Sequence, residues 1–566
     1  ITTGQYNTFV GSIAGDALTD ADYNTALGAQ ALTTDTLGSR STAVGFGALE
    51  NQNFTTATNS HNTAMGYEAG HSITTGTQNT IIGSAAGDAL TDANLNTAVG
   101  YAALSSDVKG TRSTAFGMGA LQNQNFTTVL ASNNVAVGYY AGQQVTTGRY
   151  NVFVGANAGD ANTGGDYNIA IGPDAMSAEV EGNASVAIGY GALENQTSAT
   201  STTIANVAVG YAAGNDITSG TRNSIVGTFA GDELTTGYYN TILGYSALGE
   251  DTQGATAVAL GYAALSNQNF TTTTVHYNVA VGYNVGTGIT TGINNTLIGG
   301  LAGDALTDAD RNVAVGTSAL SADTLGSRST AVGYGTLASQ NFTTATSTYN
   351  TAVGYGAGVS VTTGSKNTLI GGFSGDSLQT GAFNVVLGYN ALGLDTEGTR
   401  SVAIGNDTLA AQNFTTTTSV NNVAVGHFAG NDITTGINNT LIGGLSGDNL
   451  TDADYNTAVG QGTLSADTLG SRSTALGYEA LNTQNFTTAT DSYNTATGYQ
   501  AGYSITTGVQ NTLIGGLAGQ KLTDVDFNTA VGMQTLQADT GGQYSTAVGY
   551  QALFSQNFTT VGTSSN

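Results

Sequence analysis

The chain has 566 residues, of which 81 are Gly, one is Pro (Pro173), none is Cys or Trp, and only 9% are charged. So much Gly, without the Pro, Glu, Lys and Ser of disordered chains, speaks against both an ordinary multi-domain globule and a low-complexity coil. Eleven basic against 38 acidic residues leave a net charge of −27, which disfavours nucleic acid and anionic membrane surfaces as partners.

Along the chain the same phrase returns. Asn7-Thr8-Phe9-Val10-Gly11 is followed by relatives ending at Gly28, Gly45, Gly66, Gly83, Gly100, Gly117 and Gly138, in steps of 17, 17, 21 and 17 residues that then start again. The series runs to Gly549, giving 31 turns. Superimposed on it is a 72-residue unit, marked by Gln52, Gln124, Gln196, Gln268, Gln340, Gln412, Gln484 and Gln556. No linker interrupts the pattern, so a single domain over 1–566, of about eight such units, is expected.

Within a turn, an alternating run such as Thr42-Ala43-Val44 leads into the Gly, and a turn residue (Gly38, Gly76 or Asn59) precedes it by seven. Gly and Asn tolerate the positive φ of a tight corner. Two short strands and two corners fit this grammar. Helix does not, because no apolar spacing of three and four persists. The expected fold is all-β: a parallel β-solenoid rising about 4.8 Å per turn, a rod of roughly 150 Å. In Asn79-Thr80-Ile81-Ile82-Gly83 neighbouring positions are both apolar, so both strand faces read as buried. One face fills the chain's own core and the other calls for a neighbouring copy. The second strand, as in Ile73-Thr74-Thr75, is threonine-rich and suits solvent.

Ser185-Val186-Ala187-Ile188-Gly189 and Ser401-Val402-Ala403-Ile404-Gly405 resemble the S-V-A-I-G signature of YadA-type head repeats in trimeric autotransporter adhesins. Similar arrays occur in bacteriophage tail fibres. The resemblance implies a left-handed β-roll, a homotrimer, and binding to surfaces or matrix. This chain departs from the family in its 17- and 21-residue turns. It departs again in placing Tyr6, Tyr23 or Arg40 five residues before the Gly, where the family favours Asn.

Candidate chemistry falls on repeated rows. One acidic row is Asp35, Asp107, Glu179, Asp251, Asp323, Asp395, Asp467 and Asp539. The other contains Asp16, Asp88, Asp160, Asp232, Asp304, Asp376 and Asp448. Asp16, Asp20 and Asp22 are the candidate calcium ligands, since Ca²⁺ takes several hard oxygens. Because other copies replace Asp20 and the following Ala21 with Thr236 and Gly237, turn geometry is the preferred reading of these aspartates. Phe54, Phe126, Phe270, Phe342, Phe414, Phe486 and Phe558 recur in the long turn. They are either candidate surface contacts for a glycan or neighbouring fibre, or rings tucked beneath their own loop. Arg40 and its repeats are expected in surface ion pairs near the first acidic row. Tyr67, Tyr101, Tyr139 and Tyr211 read as a packing ladder.

His61, His71, His276 and His427 are isolated, and no catalytic set or phosphate loop is present. Glu179-Val180-Glu181 is the only irregular patch. No enzyme activity and no cofactor are expected. An ice-binding surface would need flat, unbroken threonine columns, and the column Thr19, Thr36, Ala57, Thr74 is interrupted at Ala57 in the long turn. Ile1 matches Ile73 and Asn566 matches Asn62 in register, so the segment is expected to belong to a longer chain or to join end to end as a filament. The functional expectation is an extracellular, structural or adhesive fibre on a cell or virion surface. It would be homotrimeric, with a surface glycan or matrix ligand and no membrane insertion in this segment. The alternative is a phage tail-fibre shaft.

Overall fold

The computed structural model describes residues 1–564; Asn566, paired above with Asn62, lies outside them. The chain falls into two compact units, Ile1–Asn278 and Val279–Asn566. Each is a parallel β-solenoid, and no helix occurs among the described residues.

In the first unit, Thr8–Val10, Thr25–Leu27, Thr42–Val44, Thr63–Met65 and Thr80–Ile82 stack as successive three-residue strands. Thr8 pairs with Thr25, Thr25 with Thr42, Thr42 with Thr63 and Thr63 with Thr80, all parallel. The second unit repeats the arrangement, with Thr296 on Val313, Val313 on Thr330 and Thr330 on Thr351. The longer step falls where the sequence places it.

One strand per coil forms, not two. Thr74 still accepts and donates across coils, its N–H bonding the Thr91 carbonyl at 3.1 Å, but Ile73-Thr74-Thr75 is bent, not extended. Positive φ recurs at Gln30, Leu32 and Arg40 within a single coil and sets its corners. Only beside the 21-residue coil does a second pairing appear, such as Gly38–Ser39 with Thr58–Asn59 and Gly326–Ser327 with Thr346–Ser347.

The Gly that ends each strand is obligatory. Gly227 has φ +139°, and a Cβ there would lie 2.3 Å from the carbonyl oxygen of Gly244 in the next coil.

The core is thin and balanced by volume. The middle strand residue points inward and is usually Ala, as at Ala26, Ala43, Ala64 and Ala98, all fully buried. Where it is large, as at Phe153, the facing positions are Gly142 and Gly159, whose absent side chains make the room. Beside this core runs a column of buried asparagines. The Asn151 side chain accepts the N–H of Asn168 at 2.8 Å and donates to the Gly165 carbonyl at 2.8 Å. In the second unit Asn367 does the same with Asn384 (3.0 Å) and Gly381 (2.8 Å). Each asparagine satisfies backbone groups that the corner would otherwise strand.

Candidate functional site

The outward side of the strand column is open. In Thr25–Leu27, Val207–Val209 and Val385–Leu387 only the middle residue is buried. Its neighbours stand toward solvent: Leu27, Leu243 and Phe116 in the first unit, and Ile298, Leu387 and Ile442 in the second, are exposed. The two-sided burial read from the sequence therefore holds within the chain for the inward face alone.

Two aromatic columns flank that face. On one side rings stack along the axis: Phe46 on Tyr67 at 5.5 Å, Tyr190 on Tyr211 at 5.3 Å, and Tyr334 on Tyr355 at 5.3 Å. On the other side, five residues before the Gly, Tyr6 stacks on Tyr23 and Tyr150 on Tyr167, both at 5.0 Å. The arginines of this second column do not pair with the Asp35 row. Arg40 lies over Tyr23 at 5.7 Å, Arg222 over Tyr239 at 5.5 Å and Arg328 over Tyr349 at 5.5 Å. Arg472 keeps an ion pair, with Asp491 at 2.8 Å. The expected surface pairing fails because the first acidic row faces inward.

Asp35 is fully buried and accepts three hydrogen bonds, from the N–H of Gly38 (3.0 Å), the N–H of Phe54 (3.1 Å) and the Gln52 amide (2.6 Å). Gln52 also donates to Ser41 at 2.8 Å and accepts from Asn62 at 2.8 Å. The network carries the asparagine column past the long coil, where Ser41 stands in place of an asparagine. Burial pushes the Asp35 carboxyl above its ordinary range, and the three donors pull it back. The irregular Glu179 is the third copy of this residue, holding Gly182 N–H at 2.6 Å and Gln196 at 2.8 Å.

The candidate surface phenylalanines are inside. Phe54, Phe126, Phe270, Phe342, Phe414 and Phe486 are 8% exposed or less, and Phe558 is half-buried. Their rings close over the corner glycine, with a Cβ at Gly38 lying 2.7 Å from the Phe54 ring. These phenylalanines form no exposed row for a glycan or a neighbouring fibre to grip.

The candidate calcium ligands are spoken for or isolated. Asp20 accepts the Thr3 hydroxyl at 2.5 Å, Asp22 accepts the Gln5 N–H at 2.7 Å, and Asp16 stands exposed. No group of three or more His, Cys, Asp or Glu able to hold a metal occurs among the described residues. Asp22 and its repeats Asp310 and Asp454 use the carboxylate as an acceptor for the preceding coil's backbone. This is the turn role.

The histidines do not gather. His71 lies 3.3 Å from Glu50, His427 packs edge-on to Phe428, and His276 is fully buried against Phe270. His276 occupies the position held by Ser60 in the first copy, and Ala257 opposite it stands where Ser41 does. The sequence reading missed the left-handed corner five before each Gly: Tyr23, Arg40 and Thr256 sit there at φ 60°, 65° and 67°. Asn133, Asn421 and Asn438 at the same position were the available signal.

The chain is thus a parallel β-solenoid with one apolar strand face left open. No known protein-family model matches it, and a search of curated proteins finds no match either.

Proposed function

We propose that this chain is a structural fibre protein that packs side by side with copies of itself through the open strand face, as a homotrimer. One observation carries the reading. In each unit a column made mostly of Val, Ile and Leu, interrupted at Met65, Phe116 and Thr497, stands exposed or half-buried beside the strand axis, with aromatic rings along both edges. Contiguous apolar surface of this kind is rarely left to water, and copies of one chain most often cover it in a closed, symmetric assembly. The likeness of Ser185-Val186-Ala187-Ile188-Gly189 to YadA-type heads supports three chains and an adhesive, extracellular setting on a cell or virion surface. The fully buried carboxylates of the Asp35 row are engaged by hydrogen bonds of the fold itself, which fits a structural role. The acidic exterior keeps such assemblies soluble and apart.

The test is sedimentation of the intact chain. The expected mass is three times 56.7 kDa, falling toward a single chain when Leu243→Asp and Leu387→Asp are introduced together on the outer face. A chain that sediments as a monomer at every concentration would sink the proposal.

A further inference from the structure

We infer that the first unit carries a cleft for an alkylammonium ligand, between the rings of Tyr190, Tyr211 and Phe229 and the carboxylates of Asp216, Asp232 and Glu233. This goes beyond the fibre reading and does not rest on it.

Two adjoining hollows of about 330 and 210 Å³ share Asp232 and Glu233. The larger is walled by the three rings. Tyr190 stacks on Tyr211 at 5.3 Å, Phe229 meets Tyr211 edge-on at 5.3 Å and 79°, and Tyr245 continues the series at 6.1 Å and 88°. Phe229, nearly perpendicular to Tyr211 and Tyr245, lines the larger hollow with Tyr190 and Tyr211, so a cation seated there meets aromatic surface. The smaller hollow opens onto Glu250. Asn215 fixes the rim by donating to the Gly191 carbonyl (3.0 Å) and Glu194 (2.9 Å), and Asn195 donates to Asp216 at 3.1 Å.

These carboxylates have no basic partner among the described residues. The ion pairs of the chain lie elsewhere, and Arg222, on the same coil as Asp232, is turned toward the Tyr239 hydroxyl at 3.0 Å. Burial first, then repulsion from Glu233 and Asp216, pushes Asp232 up to about 6. A bound cation would relieve that cost.

The second unit supplies the internal control. Tyr334, Tyr355, Phe373 and Tyr389 rebuild the same aromatic frame, at 5.3, 5.2 and 6.1 Å and 11°, 71° and 85°. There Ser360, Ser377 and Leu394 replace Asp216, Glu233 and Glu250. Asp376 keeps the place of Asp232, so the fold does not require the other three acids. No three carboxylates converge closely enough for a metal ion, whereas an extended organic cation spanning both hollows meets rings and carboxylates together. A neutral sugar would leave the acids unpaired.

Titration calorimetry of the intact chain at low salt, with spermidine and with a short lysine peptide as probes, tests this. Either probe is expected to bind at one equivalent per chain, and the tighter of the two assigns the source as a free polyamine or a protein side chain. Asp216→Asn with Glu233→Gln lowers affinity about tenfold or more, and Phe229→Ala about three- to thirtyfold. Ser360→Asp, Ser377→Glu and Leu394→Glu together raise the stoichiometry to two. Circular dichroism confirms that each variant folds. Absence of binding overturns the inference. So does uptake of many equivalents that ignores the ring substitution, which is diffuse counter-ion attraction. Stoichiometric binding of Ca²⁺ or of a neutral oligosaccharide in place of the amines overturns it equally.

Discussion

The Gln52 amide donates to the Asp35 carboxylate at 2.6 Å, with both side chains fully buried, and the pair recurs at Gln124–Asp107, Gln268–Asp251 and Gln412–Asp395. The residue that marks the 72-residue phase of the sequence is thus the donor that makes a buried carboxylate tolerable. A solenoid in which each coil touches chiefly its neighbours responds locally to a lesion, so local rather than global stability is the quantity to follow.

Replacing Asp323 with Ala leaves the N–H of Gly326, the N–H of Phe342 and the Gln340 amide without their acceptor. Buried donors left unpaired cost about 1–3 kcal/mol each. Hydrogen exchange over 323–342 is therefore expected to speed up by a factor on the order of a hundred or more, while coils beyond the neighbouring ones keep their protection. Uniform loss of protection along the chain would contradict the network's local role.

Thr256 is β-branched yet holds φ 67°; its hydroxyl donates to the carbonyl of its neighbour Ala255 and accepts the N–H of the exposed Tyr277 at 3.3 Å. Thr256→Gly removes a left-handed penalty of about 1 kcal/mol and is expected to slow exchange locally. Gly227→Ala moves the other way. Its Cβ would sit 2.3 Å from a backbone oxygen that cannot withdraw, and a local loss of about 3 kcal/mol or more is expected. Denaturant-dependent hydrogen exchange on the two variants reads both signs.

Acidification should find a weak point at His276. Burial lowers this imidazole from 6.5 to about 4, so between those values the unfolded chain binds a proton that the folded chain refuses. Stability from this group is present above about 6.5 and is lost as pH falls toward 4. The buried aspartates act oppositely. Asp35, Asp251, Asp323, Asp395 and Asp467 are raised by burial, so their contribution improves as pH falls and is lost as it rises through their folded values. Protection of residues 251–278 should accordingly drop between pH 6.5 and 4 while other copies hold. His276→Ser combined with Ala257→Ser, restoring the residues of the first copy, should abolish that difference. A wild-type chain whose fourth copy behaves like the rest across this range would refute the assignment.

Period, strand register, the glycine column and the all-β class were legible in the sequence alone. Each is a short-range requirement repeated so often that accidental resemblance averages out, and a Cβ in the glycine column, as at Gly11, Gly227 or Gly515, would meet the next coil. What only the tertiary structure decided is the direction in which particular residues face. Phe54 and Asp35 turn inward, Arg40 turns to a ring and not a carboxylate, and the threonine-rich side bends instead of extending. These outcomes depend on left-handed corners at residues as unlike as Leu32, Arg40 and Tyr23. Apart from the occasional asparagine, as at Asn133, Asn421 and Asn438, no side-chain preference announces such corners. They are imposed by the stacking of neighbouring coils, whose hydrogen bonds outweigh the local strain.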